Sequence, residues 1–341
     1  MRYRLLRTFL TILLIACVST FFIASPVGAT SRSTASGQQT TQAQSVTSGP
    51  LVQDAAKVIT YWTPARVKSA RSADELLAHA TLTRAPVQSG ASGIGAPALP
   101  QGQSVGATPD ATKIPHSSYH IFPYSTVGKV FFTDPRTGLN YVCSGASTNS
   151  NNKSVVDTAG HCVVQGGSGG NWYTNWVFCP QYFNGTSPHG CWVARQLWSI
   201  NFWVNSGSLE DDFGDAVVSP NSHGKVVNVV GGTGWAYGQS AHQTFTSFGY
   251  PAASPFNGNL MYKCGPTLPS KVAGFDDGTV IAIPCNMTGG SSGGPWLISI
   301  NGTFGYVNGH NDFKYNNDPA HMYSPYYDSD WFVAFNAAQN S

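Results

Sequence analysis

Charged residues are scarce in this chain. Only 10% of its 341 residues are Asp, Glu, Lys or Arg, against about 25% in an average soluble domain. No run or face of basic residues resembles a nucleic-acid footprint, so we expect no nucleic-acid partner. The few charges are unevenly placed. Residues 30–109 carry six Lys and Arg against three Asp and Glu, and the chain from residue 110 onward carries nine against 13.

Long hydrophobic runs are absent after the first 30 residues. Arg2, Arg4 and Arg7 precede an apolar run over residues 9–18, and small residues occupy 27–29. This order is typical of a secretory signal peptide, here residues 1–29, cut after Ala29. A lipoprotein signal ending at Cys17 and a retained anchor are alternatives, although the run is shorter than the ~20 residues of a membrane span. We therefore expect a secreted protein with no membrane association once the signal is removed.

Cysteine is also sparse, with seven residues of which Cys17 lies in the signal. An even number remains in an exported chain, which indicates disulfides, and the simplest pairing is sequential. Zinc binding is the alternative, but no Cys-x-x-Cys or His-x-x-His spacing supports it, and we expect no metal. The six remaining cysteines are Cys143, Cys162, Cys179, Cys191, Cys264 and Cys285.

Residues 30–112 read as a propeptide and linker. Residues 30–49 are rich in Ser, Thr and Gln, which favours disorder. Helix signals follow: Thr63 caps a helix with Pro64 at its first position, and residues 72–75 have capping-box form. Residues 86–112 are rich in Pro, Gly, Ala and Ser and predict an exposed linker. We expect a precursor cut somewhere within 86–118, whose propeptide is a partner of the body; an idle N-terminal tail is the alternative.

The body, residues 113–341, has the sequence pattern of an all-β protein. Short apolar runs at 127–132, 154–156, 226–230 and 280–283 are bounded by Gly, Asn and Pro, and each predicts a strand. Residues 328–338 predict a C-terminal helix. Residues 172–203 contain five tryptophans and two cysteines and look like an insertion, which either extends a substrate cleft or supplies core aromatics.

Residues 289–295, GGSSGGP, are the sharpest motif. A serine that attacks a carbonyl needs backbone N–H groups preorganised around the developing oxyanion. Glycine before Ser292 allows the chain to turn so that these groups converge, and the glycines after it keep the site open. A plain Gly/Ser loop is the alternative in a chain with 37 glycines.

Two further residues complete a catalytic hypothesis. Residues 158–162, TAGHC, put His161 in a tight turn after a strand, beside a cysteine, where a general base would be held rigidly. Asp215 enters the apolar run 216–218, and a buried carboxylate there needs a partner such as an imidazole N–H. We interpret residues 210–212 as a solvated turn and Asp157 as a turn residue. The order His161, Asp215, Ser292 is that of chymotrypsin.

With these motifs the chain resembles the trypsin/chymotrypsin superfamily, in the style of bacterial secreted trypsin-like and glutamyl-endopeptidase-like enzymes. TAGHC and GSSGGP (290–295) are similar to its histidine and serine boxes, and Cys143 is similar to the cysteine that pairs with Cys162. The resemblance covers about residues 127–335. It implies two six-stranded antiparallel β-barrels with the site between them, and an oxyanion hole at the N–H groups of Gly290 and Ser292.

The chain departs from this family near the specificity pocket. Ser291 replaces the aspartate before the nucleophile, which in trypsin-like zymogens binds the freed N-terminus. Asn286 replaces the aspartate of tryptic enzymes, and Val307 replaces the histidine of glutamyl endopeptidases. The resemblance implies five substrate-binding residues, of which the last is close enough to meet a substrate acid: Asn286, Thr288, Asn308, Gly309 and His310.

The sequence therefore predicts a secreted serine endopeptidase, made as a zymogen, that hydrolyses peptide bonds of protein substrates through an acyl-enzyme. We expect a monomer that needs no cofactor. Two alternatives remain: a catalytically inactive binding or adhesion module of the same fold, and an esterase, because an oxyanion hole does not distinguish an ester from an amide.

Overall fold

A computed structural model describes residues 45–51, 53–79, 110–167, 170–272 and 280–341. The expected signal peptide, and most of the expected linker, lie outside these residues. Among the helices within them, none combines the length and the apolar character needed to cross a bilayer.

The N-terminal segment, residues 45–79, folds onto the body instead of extending from it. Asp54 caps its first helix by accepting N–H bonds from Ala56 and Lys57. Thr63 caps the second helix with Pro64 at its start, as predicted. The segment's elements are β1 (Val46–Pro50), α1 (Ala55–Tyr61), α2 (Pro64–Ser69), β2 (Arg71–Ser72) and a 3-10 helix (Ala73–His79).

Six strands of the body close into a barrel. Each is paired in the order β8-β7-β4-β5-β6-β9, and β9 pairs again with β8. Two strands of the N-terminal segment join this sheet, because β1 pairs with β8 along its whole length and β2 pairs in parallel with β5. The elements are β3 (Thr112–Lys113), β4 (Val127–Thr133), β5 (Asn140–Thr148), β6 (Val155–Ala159), β7 (Thr174–Pro180), β8 (Trp192–Ile200), α3 (Asn201–Ser206) and β9 (Phe213–Val218).

The second half of the body is built from a six-stranded sheet, β10-β16-β15-β11-β12-β3, and a three-stranded sheet, β13-β14-β17. A C-terminal helix follows, as predicted, and Asp328 caps it. The elements are α4 (Val226–Val230), β10 (Gly234–Trp235), β11 (Phe245–Gly249), β12 (Tyr262–Thr267), β13 (Lys271–Val272), β14 (Val280–Pro284), β15 (Pro295–Ile298), β16 (Tyr306–His310), β17 (His321–Pro325) and α5 (Ser329–Gln339).

One predicted strand is wrong. Residues 226–230 form α4, a single helical turn, in which Val226 and Val230 are buried and the residues between them are less so. Spacing of i and i+4 puts both valines on one helical face, and a five-residue run cannot be distinguished from a strand by its composition alone.

The cysteine and tryptophan predictions have clear outcomes. The three disulfides are sequential, Cys143–Cys162, Cys179–Cys191 and Cys264–Cys285.

Residues 172–203 are not an added loop: they supply β7 and β8, and Trp176, Trp192 and Trp203 are fully buried. Their aromatic residues therefore serve the core of the barrel.

Candidate active site

His161 lies at the end of a barrel strand. It is the second residue of a 3-10 helix, Gly160–Cys162, that begins directly after β6. The Cys143–Cys162 disulfide fixes this turn to β5, and only 1% of the histidine is exposed. The turn is therefore held in one place from both sides, as the sequence predicted.

The carboxylate in contact with His161 belongs to Asp212. Its Oδ2 lies 2.7 Å from His161 Nδ1, and its Oδ1 accepts the backbone N–H of His161 at 2.6 Å. Strands β6 and β9 pair antiparallel with Ala159 opposite Phe213, so the residue after Ala159 faces the residue before Phe213. The register of the two strands thus delivers Asp212 to the imidazole.

The contact predicted between Asp215 and His161 is absent, and this prediction is corrected to Asp212. Asp215 lies opposite Asp157 in the β6–β9 register, deeper in the barrel. Asp157 is a buried strand residue and not part of a turn: it accepts hydrogen bonds from Tyr327 Oη at 2.8 Å and Trp331 Nε1 at 2.9 Å. Residues 210–212 are buried too, so they are not a solvated turn.

Asp157 and Asp215 form a buried acid pair beneath the site. Burial raises the pKa of Asp157 to about 7, and burial together with Asp157 raises the pKa of Asp215 well above its usual range. Neither oxygen of Asp215 accepts a hydrogen bond from the described residues. The pair therefore binds a proton more tightly than solvent-exposed carboxylates do.

Asp215→Asn is expected to raise the melting temperature of the full chain, by an amount that grows from pH 5 to pH 8. A carboxyl whose pKa is higher in the folded than in the unfolded chain costs stability as pH rises between the two values. An amide keeps the shape of the neutral acid and removes this cost. Thermal unfolding of parent and variant at both pH values checks the prediction, which an equal or smaller gain at pH 8 would contradict.

A second carboxylate flanks the imidazole. Asp312 Oδ1 lies 3.4 Å from His161 Nδ1, and the carboxylate of Asp312 is fully buried. Burial alone would lower the pKa of His161, but Asp212 and Asp312 outweigh it and raise that pKa to about 10. Burial and Asp212 in turn raise the pKa of Asp312 well above its usual range. The two carboxylates therefore stabilise the imidazolium, the form that His161 takes when it accepts a proton.

The loop that carries Ser292 follows a course that only glycine adopts easily. Gly290 and Gly293 have φ of 93° and 77°, and a Cβ on Gly293 would lie 2.0 Å from Thr158 Oγ1. The loop thus packs directly against the turn of His161, and Ser292 O accepts the N–H of Ser144 at 2.7 Å. Ser292 is 2% exposed, and its Oγ lies 3.3 Å from the carbonyl oxygen of Asp312.

A residue of the N-terminal segment occupies this site. Ser292 Oγ donates to Asp74 Oδ1 at 2.6 Å, and the N–H of Gly290 points at the same oxygen at 3.4 Å. Within the part of the chain that the structure describes, His161 Nε2 has no hydrogen-bond partner. The hydroxyl of Ser292 is therefore directed at Asp74.

The five residues predicted to bind substrate are not all available. His310 is buried, bonded through Nδ1 to Tyr327 Oη at 2.9 Å, and burial lowers its pKa to about 3, so it does not meet a substrate acid. Asn308 is buried and donates to the carbonyl of Ala236 at 2.8 Å, beside Gly309 on β16. The predictions for His310 and Asn308 are corrected, because these side chains support the sheet, and the prediction for Gly309 stays a prediction.

The other two predicted substrate residues are partly exposed but engaged. The amide of Asn286 donates to Asp110 Oδ1 at 2.8 Å and accepts the N–H of Ala111 at 2.7 Å. Thr288 donates to the carbonyl of Ala253 at 2.7 Å. Residues 110 and 111, which the sequence placed in the linker, thus contact the predicted specificity residue.

Three carboxylates at the site escaped the sequence analysis. Asp212 was assigned to a polar turn, and Asp312, which lies beside the predicted pocket residues, carried no motif. Asp74 was assigned to a capping box, and it does take part in one local bond of that kind, because its N–H donates to Ser72 Oγ at 3.3 Å. The signal available for Asp212 was its position directly before an apolar strand.

Among the residues that the structure describes, two groups of side chains have the composition of a metal site, but in one of them Cys143 and Cys162 are joined in a disulfide. In the other, donor atoms of His161, Asp212 and Asp312 lie within 4.8 Å of one another. However, His161 Nδ1 already has Asp212 as its hydrogen-bond partner. A cation there would have to displace that bond, and the three side chains fit an acid–base site better.

Solved structures of bacterial proteases resemble this chain. The protease Anisep from Arthrobacter nicotinovorans is 38% identical over 64% of this chain and 96% of its own, with a TM-score of 0.59. The thermostable serine protease AL20 from an extremophilic microorganism is 38% identical over 67% of this chain and 100% of its own, with a TM-score of 0.59.

A third solved structure shares the fold at lower identity. A Glu endopeptidase is 16% identical over 70% of this chain and 99% of its own, with a TM-score of 0.54. A scan against protein-family models finds no match, and neither does a search of curated proteins. The double-barrel architecture predicted from the sequence is confirmed by the structural likenesses.

Proposed function

Because the chain belongs to the chymotrypsin-like serine peptidases, we propose that it is a secreted endopeptidase that cleaves peptide bonds with Ser292, His161 and Asp212. The observation that carries the proposal is the pair of contacts that Asp212 makes to His161, at 2.7 Å and 2.6 Å, in a turn packed against the loop of Ser292. An imidazole oriented by a buried carboxylate beside a serine is the arrangement that nucleophilic catalysis needs.

The reaction follows from these positions once Asp74 has left. Ser292 Oγ attacks the carbonyl carbon of the substrate and passes its proton to His161 Nε2. Asp212 holds the proton at Nδ1 and stabilises the imidazolium that forms. The N–H groups of Gly290 and Ser292 bind the oxyanion. His161 then protonates the leaving amine, and a water repeats the sequence to release the acid from Ser292.

Asp312 supports the same step in this proposal. Its Oδ1 lies 3.4 Å from Nδ1 of the imidazole, the same nitrogen that Asp212 contacts at 2.7 Å. A neutral acid there donates a hydrogen bond to the carboxylate of Asp212 without adding charge, and an ionised one favours the imidazolium further. In either form it is a positioning residue for His161.

We also propose that the protein is exported and made as a precursor. The basic and apolar start of the sequence supports a signal over residues 1–29, and three disulfides fit an oxidising compartment. The propeptide and linker span about residues 30–112, and the peptidase spans 113–341. Protein or peptide chains are the substrates, and the protein's own N-terminal segment is a partner.

A phosphonylating probe tests the proposal. A fluorophosphonate forms a phosphorus–oxygen bond to an activated serine as fluoride leaves, and it leaves ordinary serines unmodified. We expect one adduct, on Ser292, in protein that has been cut between residues 80 and 109 by an added protease and then separated from the severed N-terminal piece. Peptide mass mapping locates the adduct.

A peptide library incubated with the same preparation distinguishes an endopeptidase from an esterase and from an inactive relative. Cleavage of internal peptide bonds supports the endopeptidase. Ester hydrolysis without peptide cleavage would establish an esterase, and an unlabelled Ser292 with no cleavage would establish an inactive relative.

A further inference from the structure

The N-terminal segment docks on the body beside the candidate nucleophile. β2 pairs in parallel with β5, placing Arg71 opposite Tyr141 and Ser72 opposite Val142. Ala73 is then completely buried, and the 3-10 helix that it begins runs past the site. Docking is therefore part of the regular sheet and not a chance contact of a side chain.

The body is shaped to receive this segment. A Cβ on Gly289 would lie 2.2 Å from Ser72 Oγ and 2.9 Å from Asp74 Oδ2, and these are its nearest neighbours. Gly289 thus leaves room that Ser72 and Asp74 fill. The N-terminal segment can approach the body this closely only at a residue that has no side chain.

The Asp74 carboxylate lies where the reacting carbonyl of a substrate would lie. One oxygen accepts the hydroxyl of Ser292 at 2.6 Å and faces the N–H of Gly290 at 3.4 Å, so it takes the position of an oxyanion. A carboxylate bears negative charge, which such a hole favours. Its carbon also carries no leaving group, so attack by Ser292 cannot produce an acyl-enzyme.

The same contact withdraws Ser292 from its base. The hydroxyl has one hydrogen to donate, and Asp74 accepts it. His161 Nε2 is left without a partner among the described residues. Both the hole and the nucleophile are therefore occupied by one side chain.

We propose that residues Arg71–His79 are an inhibitor carried within the chain, and that Asp74 blocks catalysis by placing its carboxylate in the oxyanion hole. The proposal rests on the proposed function, because it treats Ser292 as the nucleophile. The binding site it assigns is the cleft beside β5, and its ligand is a short acidic segment that presents an aspartate side chain to Ser292.

The test compares full chains before any cleavage. The rate of fluorophosphonate labelling is read only from the band of intact length, for the parent, Asp74→Ala and Gly289→Ala. We expect both variants to label at least about tenfold faster than the parent, the size that follows from losing one charge-assisted hydrogen bond. Gly289→Ala changes the body and not the docked segment. Its methyl group would displace Ser72 while Asp74 stays chemically intact.

Glu75→Gln is the matched control. It removes the same charge one residue away, and Glu75 is half exposed and pairs with Arg71 instead of Ser292. We expect it to label at the rate of the parent. Equal rates for Asp74→Ala, Gly289→Ala and the parent would overturn the inference, and so would an equal rise in Glu75→Gln.

Hydrogen exchange of residues 71–79 in the same intact chains gives a readout independent of catalysis. We expect faster exchange in Asp74→Ala and Gly289→Ala than in the parent or Glu75→Gln. Unchanged exchange in the two variants would overturn the docking itself. Faster exchange without faster labelling would instead contradict the role of Ser292 and, with it, the inhibition.

Discussion

Asp212→Asn is expected to lower kcat of the processed protein by about 10⁴-fold, or about 5.5 kcal/mol of transition-state stabilisation. The amide can still accept the backbone N–H of His161, so the turn keeps its place. It presents an N–H where Nδ1 needs an acceptor, and this favours the wrong tautomer of the imidazole and withdraws the charge that stabilises the imidazolium. Steady-state hydrolysis of a peptide substrate measures the loss.

Asp215→Asn is the control for this variant. It makes the same chemical change three residues along the chain, in a carboxyl whose pKa is raised by burial and by Asp157. We expect kcat within a few-fold of the parent, since Asp215 faces Asp157 and not His161. If Asp215→Asn were the variant that lost activity and Asp212→Asn retained it, the assignment of the acid would be wrong.

Ser292→Ala is expected to have a larger effect, a loss of about 10⁶-fold in kcat, as found when the nucleophile of a serine protease is removed. Ser291→Ala is its matched control, because the neighbouring hydroxyl donates to the carbonyl of Thr288 at 2.8 Å and has no part in the proposed reaction. Measuring both on the same peptide substrate decides which of two adjacent serines attacks.

The double variant Ser292→Ala/His161→Ala sharpens this result. If the two residues act as one unit, removing His161 from a chain that already lacks the hydroxyl costs little more. Additive losses would show that His161 acts on something other than Ser292, and would contradict the mechanism.

Local motifs were enough to predict one part of the site. Ser292 and His161 each lie in a short stretch whose chemistry and backbone needs can be recognised without tertiary structure, because glycines and a cysteine surround them. The disulfides followed from their number and order. The C-terminal helix followed from residues 328–338, whose aromatic side chains can pack onto the body.

The acid could not be chosen in this way. Three aspartates lie within residues 211–215, and burial, which would have favoured Asp215, proved to be common to all of them. The choice depends on the register of β6 against β9, which hydrogen bonding across the barrel sets. Register is a property of two strands that lie far apart in the sequence, and composition does not determine it.

The partner of the nucleophile was less predictable still. Asp74 lies 218 residues from Ser292 and its sequence neighbours indicate only the start of a helix. Its role depends on the parallel pairing of β2 with β5, a two-residue strand that no sequence period reveals. Similarly, His310 had the chemistry of a substrate ligand, and only its burial shows that it is part of the sheet.

The attachment of β1 has a consequence for how the precursor would be switched on. All five residues of β1 pair with β8, and Trp62 of the same segment donates to the carbonyl of Asn175 at 2.7 Å. On the other side of the linker, β3 is paired with β12. A cut between residues 80 and 109 therefore frees neither end, and the severed piece stays on as a separate subunit.

Under the proposed inhibition, activity would then begin with the departure or destruction of that subunit and not with the cut. Its onset would trail cleavage, and the final activity would rise on dilution and fall when the severed piece is added back. The delay would be set by how fast the pairings of β1 with β8 and of β2 with β5 come apart. Progress curves recorded after cutting at several protein concentrations would reveal the lag, and an immediate onset to a concentration-independent activity would argue against it.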